Sequence, residues 1–174
     1  MLRFMYGGVL PPTQILPLLF VSDMSTASSR HMLAKADIQR VVVAAHAESA
    51  GMPFADDGIE YLRVSVDDVE GDAEALLDAV DDTLAEFVLG GVAAAIPVLI
   101  HCEGGISRSI SLTCALIMLA TGSAFADALA LVKHARPQAN PNPGFVAALE
   151  SFPSSPSYAA LSAKWLGSLS VVDD

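Results

Sequence analysis

The chain has 174 residues, of which 53% are hydrophobic, and its 9 basic and 20 acidic side chains give a formal net charge of −11 at pH 7. This length is enough for one domain with a sizeable hydrophobic core. Nucleic acids and anionic membrane surfaces are bound by basic patches, so the acidic balance argues against both as partners. An anionic ligand would have to be held by local groups inside a repulsive overall field.

The mean hydropathy of +0.50 raises the question of a membrane span. The longest apolar run, residues 87–100, is interrupted by two glycines and Pro97 and is too short to cross a bilayer. The opening residues lack the pattern of a secretory signal. Cys102 and Cys114 are the only cysteines, so we expect no disulfide framework and a reducing compartment. The sequence therefore predicts a cytoplasmic monomer and leaves a nuclear location open.

Strand-like apolar runs alternate with helix-like runs along the chain. Strands are predicted near residues 16–21, 40–44, 59–65 and 97–101, and helices near residues 26–35, 72–88, 108–121, 124–134 and 143–151. A further helix is predicted between Tyr158 and Leu169, packed around Trp165. This alternation favours a single α/β domain in which helices cover a central sheet.

The most informative stretch runs from His101 to Ser109, between a predicted strand and a predicted helix. A glycine-rich turn in that position directs backbone N–H groups and the positive end of the helix dipole at one place, which suits a phosphate-sized dianion. We predict that Arg108 closes over the anion with its planar guanidinium. The rest of this cradle is predicted to be the backbone of Glu103, Gly104, Gly105, Ile106 and Ser107.

Cys102 stands at the mouth of the predicted cradle. A helix N-terminus and a nearby arginine favour a thiolate over a thiol, and a thiolate can attack phosphorus to form a covalent phosphocysteine. Ser109 is predicted to donate a hydrogen bond to the sulfur as it leaves, and His101 to order the loop rather than act as a base. The competing interpretation is an inert buried cysteine at a strand end. The accompanying His, Gly, Arg and Ser, each at its spacing, argue against it.

The segment resembles the signature loop of the cysteine-dependent protein phosphatases, in particular their dual-specificity branch, whose pattern reads His-Cys-x-x-Gly-x-x-Arg-Ser/Thr. Further matches follow in the family's order: an opening strand at 15–22, a helix-to-strand passage at 36–43, the acid-bearing strand at 61–68, Arg136-Pro137, and the Pro-Asn-x-x-Phe element at 141–145. The resemblance implies a protein-tyrosine-phosphatase-like fold with a mostly parallel or mixed sheet of about five strands. It implies a catalytic domain at 14–151, with residues 1–13 and 152–174 as flanking segments packed on it.

The resemblance also implies a general acid within the acidic run that follows the strand at 61–68. Alignment with the family's acid-bearing strand puts Asp68 in that role. Asp67 would then face solvent, because successive residues at a strand end point to opposite sides. A register error of one residue would exchange the two, and Glu70 and Asp72 are the remaining candidates. Asn142, in the late Pro-Asn element, is implied to brace the catalytic loop.

The function implied is a phosphatase of phosphorylated proteins. Tyrosine-only members carry a Trp-Pro-Asp acid loop, but the only tryptophan here is Trp165, so phosphoserine and phosphothreonine are expected as substrates alongside phosphotyrosine. The alternative is a catalytically inactive, phosphoprotein-binding pseudo-phosphatase, which retention of the cysteine and arginine disfavours. A thiol redox or sulfur-transfer enzyme is disfavoured by the Arg108-Ser109 pair. No cofactor or metal is implied, because no ligand spacing surrounds His31, His46 or His134.

Overall fold

The computed structural model describes residues 8–169 of the chain. A five-stranded sheet has the strand order β1-β2-β5-β3-β4. Its strands are β1 (Thr13–Leu16), β2 (Leu19–Ser22), β3 (Arg40–Ala44), β4 (Glu60–Val64) and β5 (Val98–His101). β1 is antiparallel to β2, and the other neighbours are parallel. The predicted α/β class and the mixed sheet of about five strands are confirmed.

Helices cover both faces of this sheet. In chain order they are α1 (Met24–Ala27), α2 (Arg30–Lys35), α3 (Ala73–Asp78), α4 (Asp82–Ala85), α5 (Gly91–Ala93), α6 (Arg108–Thr121), α7 (Phe125–Ala135), α8 (Pro143–Ser151) and α9 (Pro156–Trp165). A π-helical turn at Glu86–Gly90 joins α4 to α5. The long helices α6, α7 and α8 lie within one residue of the predicted ranges.

The first predicted strand is wrong in one respect, because the run near 16–21 is a hairpin of two strands. Leu16 pairs with Leu19 across a turn in which Pro17 is followed by Leu18 at φ +65°. Proline at the second position and a positive φ at the third are features of a type II turn. Proline also lacks the N–H that a continuous inner strand would need.

Two predicted helices are each divided into shorter helices, and a capping side chain marks one of the two breaks. The helix predicted at 26–35 is interrupted at Ser28 and Ser29, and Ser29 is the N-cap residue of α2. The helix predicted at 72–88 is interrupted before α4, where the Asp81 carboxylate accepts a hydrogen bond from the backbone N–H of Leu84 at 2.8 Å. Serine and aspartate bond readily to nearby backbone groups, so they favour caps over helix interiors. Apolar periodicity alone does not show these breaks.

The hydrophobic core lies on both sides of the sheet. The larger cluster packs under α3 to α9, and a smaller one packs under α1, α2 and the segment from Ala50 to Phe54. Every residue of α6 except Thr121 is buried, so this helix runs through the larger cluster. The described part of the C-terminal flank also packs here, since Trp165 and Leu169 belong to the larger cluster. Among residues 8–169, no helix is long and apolar enough to cross a membrane.

The parallel strands bring the segments that follow them to one edge of the sheet. β5 lies between β2 and β3, and β4 flanks β3. The residues after β2, β5 and β4 therefore leave the sheet at its carboxyl edge, where open α/β sheets bind ligands. Those segments contain Asp23, Cys102 and the acidic run 67–72.

Candidate active site

The turn between β5 and α6, residues 102–107, forms the floor of the site and is called the signature loop below. Cys102 is only 2% exposed, at the end of the central strand. The backbone N–H of Gly105 donates a hydrogen bond to the Cys102 Sγ at 3.2 Å, and the Ser109 hydroxyl lies 3.2 Å from the same sulfur. The loop therefore curls back so that an amide and a hydroxyl both point at the sulfur. Both groups can donate to a thiolate.

Arg108 begins α6 beside this sulfur-centred turn. Arg108 is 9% exposed, and its Nε atom is buried with no hydrogen-bond partner among the described residues. The Nη2 atom lies 3.6 Å from Oε2 of Glu103, whose side chain is 70% exposed. A buried guanidinium N–H without an acceptor is costly. An anion bound in the loop would provide that acceptor.

The conformation of the signature loop depends on Gly105. This residue has φ +63°, and a Cβ built on it would lie 2.5 Å from Arg136 Nη2 and 2.6 Å from the carbonyl oxygen of Ser22. Arg136 Nε donates to the Gly105 carbonyl at 2.7 Å, and its Nη1 donates to Thr13 Oγ1 at 2.9 Å. Burial lowers the pKa of Arg136 below its ordinary value. The Arg-Pro element thus ties the loop to the first strand.

Two backbone hydrogen bonds hold the signature loop at Glu103 and at Ile106. The N–H of Met24 donates to the Glu103 carbonyl at 3.0 Å, and the N–H of Asn140 donates to the Ile106 carbonyl at 2.8 Å. These bonds orient carbonyl groups away from the centre of the loop. The amides on the other side of each peptide unit are then available to face inward.

The segment after β4, residues 65–72, is called the acid loop below. Asp68 Oδ1 accepts a hydrogen bond from the Ser107 hydroxyl at 2.6 Å and another from Asn142 Nδ2 at 2.9 Å. Ser107 Oγ also accepts from the Asn142 N–H at 3.1 Å, and Asn142 Oδ1 accepts from Phe145 N at 3.0 Å as the N-cap of α8. Asn142 therefore bridges the acid loop, the signature loop and α8.

The other acids of the run point elsewhere. Asp67 Oδ1 lies 3.4 Å from His46 Nε2, with an Asp67 side chain that is 61% exposed. The Asp72 carboxylate accepts from the Asp67 N–H at 2.6 Å and so shapes the acid loop. Glu70 contributes backbone to the packing against Gly144, where an added Cβ would lie 2.5 Å from its carbonyl oxygen. Of the four candidates, Asp68 is the one that lines the cavity with Cys102.

His101 is 3% exposed, and its Nδ1 lies 3.3 Å from the Cys102 carbonyl oxygen. Burial is the main cause that lowers the pKa of His101 below 6.5, and the positive charge of Arg63 acts in the same direction. A neutral ring that donates its Nδ1–H to this carbonyl would hold the loop backbone. The second cysteine, Cys114, is buried in α6, and burial raises the pKa of its thiol to about 12.

A cavity of about 990 Å³ opens over the signature loop. Its walls include residues that the sequence analysis did not name, because they belong to the segment before α8 and to α8 itself: Asn140, Val146, Ala147 and Glu150. The i, i+4 spacing of Val146 and Glu150 after the Pro-Asn element was the available signal. Within residues 8–169, no group of three or more His, Cys, Asp or Glu side chains is arranged to hold a metal ion.

A mostly parallel α/β sheet that presents a cysteine, an amide-lined turn and a buried arginine at its carboxyl edge defines the class of cysteine-dependent phosphatases. The family model "Dual specificity phosphatase, catalytic domain" matches residues 19–154. The chain therefore belongs to the dual specificity phosphatase family.

Individual relatives agree with this assignment. Dual specificity protein phosphatase 1B of Arabidopsis thaliana is 32% identical over 134 residues, which are 77% of each chain. Human dual specificity phosphatase 28 is 34% identical over 142 residues, 82% of this chain and 77% of that protein. Its crystal structure superimposes with a TM-score of 0.73 and covers 87% of this chain and 99% of that one.

A human tyrosine phosphatase-like serine/threonine/tyrosine-interacting protein also shares the fold, with a TM-score of 0.71 at 27% identity over 83% of this chain and 96% of that one. The chain spans 57% of the length of mouse dual specificity protein phosphatase 15, to which it is 31% identical over 80% of its own length.

Proposed function

We propose that the chain hydrolyses phosphotyrosine, phosphoserine and phosphothreonine monoesters in proteins through a phosphocysteine intermediate. The observation that carries the proposal is the buried Arg108, whose Nε atom has no acceptor among the described residues and which lines the same cavity as Cys102. A phosphoryl group has the oxygens that this guanidinium and the loop amides require. We further propose that the catalytic domain spans residues 14–151, with 1–13 and 152–174 as flanks.

The first half of the reaction transfers the phosphoryl group to sulfur. The Cys102 thiolate attacks phosphorus, the P–O ester bond breaks, and Asp68 gives its proton to the leaving oxygen. Arg108 and the signature-loop amides stabilise the charge on the equatorial oxygens of the transition state. The hydrogen bonds from Ser107 and Asn142 to Oδ1 of Asp68 hold that carboxyl group at the cavity.

The second half returns the enzyme to its starting state. Water attacks phosphorus, Asp68 accepts the proton of that water, and the S–P bond breaks to release phosphate and the Cys102 thiolate. The Ser109 hydroxyl, 3.2 Å from the sulfur, can donate to the thiolate as it leaves. No metal or cofactor takes part in these steps.

The rival function is a phosphoprotein-binding pseudo-phosphatase. Its plausibility rests on the fold shared with the tyrosine phosphatase-like interacting protein. Such a binder would hold phosphate in the loop without forming a bond to sulfur. The reactive groups Cys102, Arg108 and Asp68 are all present here and line one cavity, which favours the enzyme.

The test compares turnover of a small aryl phosphate and of phosphopeptides by the native chain and by Cys102→Ser. We expect the serine variant to lose at least about a thousandfold in kcat and to retain phosphopeptide binding, because the amide cradle remains. Cys114→Ser is the matched control. Its hydroxyl can bond to the carbonyl four residues earlier in α6, as that of Thr113 does with Ser109, and its turnover should be near native.

Three outcomes separate the alternatives. Absence of turnover by the native chain, with phosphopeptide binding intact, would establish the pseudo-phosphatase. Near-native activity of Cys102→Ser would exclude the phosphocysteine. Hydrolysis of aryl phosphates alone would remove phosphoserine and phosphothreonine from the proposal.

A further inference from the structure

The cavity over the signature loop is larger than a phosphoryl group needs. Its volume of about 990 Å³ lies at the upper end of the range for pockets that bury a whole small ligand, roughly 300–1,000 Å³. The signature loop occupies only its floor. The walls beyond the loop are therefore placed to contact the residues that flank a phosphorylated side chain.

These walls are acidic. Within the described part of the chain, the cavity is lined by three acidic side chains, those of Asp68, Glu103 and Glu150, and by one cation, Arg108. A bound phosphoryl dianion would neutralise Arg108 and leave the carboxylates of Glu103 and Glu150 uncompensated, since Asp68 carries the proton that it donates. Asp68 is held by Ser107 and Asn142, and Glu103 lies 3.6 Å from the guanidinium. Glu150 is exposed and forms no ion pair with the described residues.

Glu150 lies on the face of α8 that lines the cavity, towards the end of the helix away from Asn142. Val146, Ala147 and Glu150 all line the cavity, and their i, i+1 and i+4 spacing puts them on one face of the helix. Four helical residues rise about 6 Å, so an apolar strip leads from the Asn142 end of α8 to the carboxylate. The side chain of Ile106, 42% exposed, adds apolar surface at the floor.

A lysine or arginine side chain has the matching chemistry, with an apolar stem and a cationic head. We propose that Glu150, assisted by Glu103, selects phosphorylated segments that carry a lysine or arginine within about three residues of the phosphorylated residue, the reach of an extended segment at ~3.3 Å per residue. The stem lies along Val146 and Ala147, and the head meets the Glu150 carboxylate. This inference rests on the proposed function and names the substrates of the same site.

The expected strength of the preference for basic flanks follows from the exposure of the ion pair between Glu150 and the substrate's lysine or arginine. An ion pair of this kind contributes about a two- to fivefold change in affinity and weakens as salt shortens the Debye length from about 10 Å at 0.1 M. An acidic flank would be repelled by the same carboxylates. The ratio of kcat/KM for basic over acidic flanks should therefore be about tenfold in the native chain at low salt.

The experiment uses the full chain and three phosphopeptides that differ only in their flanks, which are lysine, alanine or glutamate. Values of kcat/KM are measured for the native chain, Glu150→Gln, Glu150→Lys and Asp78→Asn. Asp78→Asn is the matched control. Asp78 is the exposed last residue of α3 and does not line the cavity, so its substitution removes one negative charge outside the site. Dissociation constants of the same peptides are measured in a Cys102→Ser background.

We expect the preference for lysine flanks to fall about threefold in Glu150→Gln, to reverse in Glu150→Lys and to persist in Asp78→Asn. Equal kcat/KM for all three peptides in the native chain, or an unchanged preference in Glu150→Lys, would overturn the inference while leaving the phosphatase proposal intact. If the native chain hydrolyses nothing, the proposed function fails. The dissociation constants then decide the inference alone: tighter lysine-flanked binding that depends on Glu150 supports it, and equal binding overturns it.

Discussion

The signature loop and the acid loop meet at the same cavity but are held in different ways. The signature loop is fixed by backbone hydrogen bonds and by the buried guanidinium of Arg136, and Cys102 is 2% exposed. The acid loop is exposed from Asp67 to Gly71, and side-chain hydrogen bonds attach Asp68 to the rest of the site. The proposed phosphate-binding loop is thus built into the core, whereas Asp68, the proposed proton donor, is attached at the surface. Mutations in the two loops should therefore fail in different ways.

After Cys102→Ser, the largest effect is expected from Arg108→Lys in the proposed anion site. Lysine keeps the charge but loses the planar fork and the buried Nε–H. We expect kcat/KM to fall about 10²- to 10³-fold for every substrate, because transition-state charge is stabilised whatever the leaving group. Steady-state kinetics with an aryl phosphate and a phosphoserine peptide check this. Arg30→Lys, at an exposed arginine paired with Asp57, is the control. Normal turnover by Arg108→Lys would show that the guanidinium is structural.

Replacing the proposed acid in the acid loop should instead lower kcat by an amount that depends on the leaving group. Asp68→Asn keeps an oxygen for Ser107 and Asn142 but cannot donate a proton to the substrate. We expect kcat to fall about 10²-fold for phosphoserine peptides, much less for an ester of an acidic phenol, and the basic limb of the pH–rate profile to disappear. Asp67→Asn should change neither quantity. A leaving-group-dependent loss in Asp67→Asn would move the acid by one residue.

These two loops also differ in how far the sequence could predict them. The spacing of Cys102 and Arg108 around two glycines indicated a strand–turn–helix unit, since local chemistry determines such a turn. The partners of Asp68 could not be derived, because Ser107 and Asn142 are 39 and 74 residues away and meet it only in the folded sheet. Glu150 was missed because its place on the cavity wall depends on how α8 packs in the folded domain, and its i, i+4 spacing from Val146 was the one local signal. The break before α4 was missed because a cap depends on one side chain, Asp81, and periodicity does not report it.

Gly104 and Gly105 are a matched pair of signature-loop glycines, and replacing each by alanine tests how closely the loop backbone is packed. A methyl group at Gly105 would meet Arg136 Nη2 at 2.5 Å and the Ser22 carbonyl at 2.6 Å, on a residue with φ +63°, whereas at Gly104 the nearest atom is the Ile106 Cδ1 at 3.5 Å. We expect Gly105→Ala to lower the free energy of unfolding by about 2–4 kcal/mol and Gly104→Ala to change it by less than about 1 kcal/mol. Urea denaturation measures both. Equal effects would mean that the loop is free to adjust.

The smallest effect concerns the pH dependence of stability, and it should arise from the buried loop rather than from the exposed one. The pKa of His101 is lowered, chiefly by burial, so the folded chain binds its proton less readily than the unfolded chain, whose histidine titrates near 6.5. Where the unfolded state binds more protons, stability rises with pH. At pH 8 both states are neutral and this histidine adds no pH dependence. As the pH falls through 6.5 and on towards the lower folded-state value, the unfolded chain gains a proton first and stability is lost.

We therefore expect His101→Gln to reduce the fall in urea midpoint between pH 7.5 and pH 5.5. The control, His134→Gln at an exposed histidine, should not reproduce this change. A native-sized fall in His101→Gln would mean that other groups carry the acid sensitivity, and that the ring near the Cys102 carbonyl is not the group whose protonation the folded loop opposes.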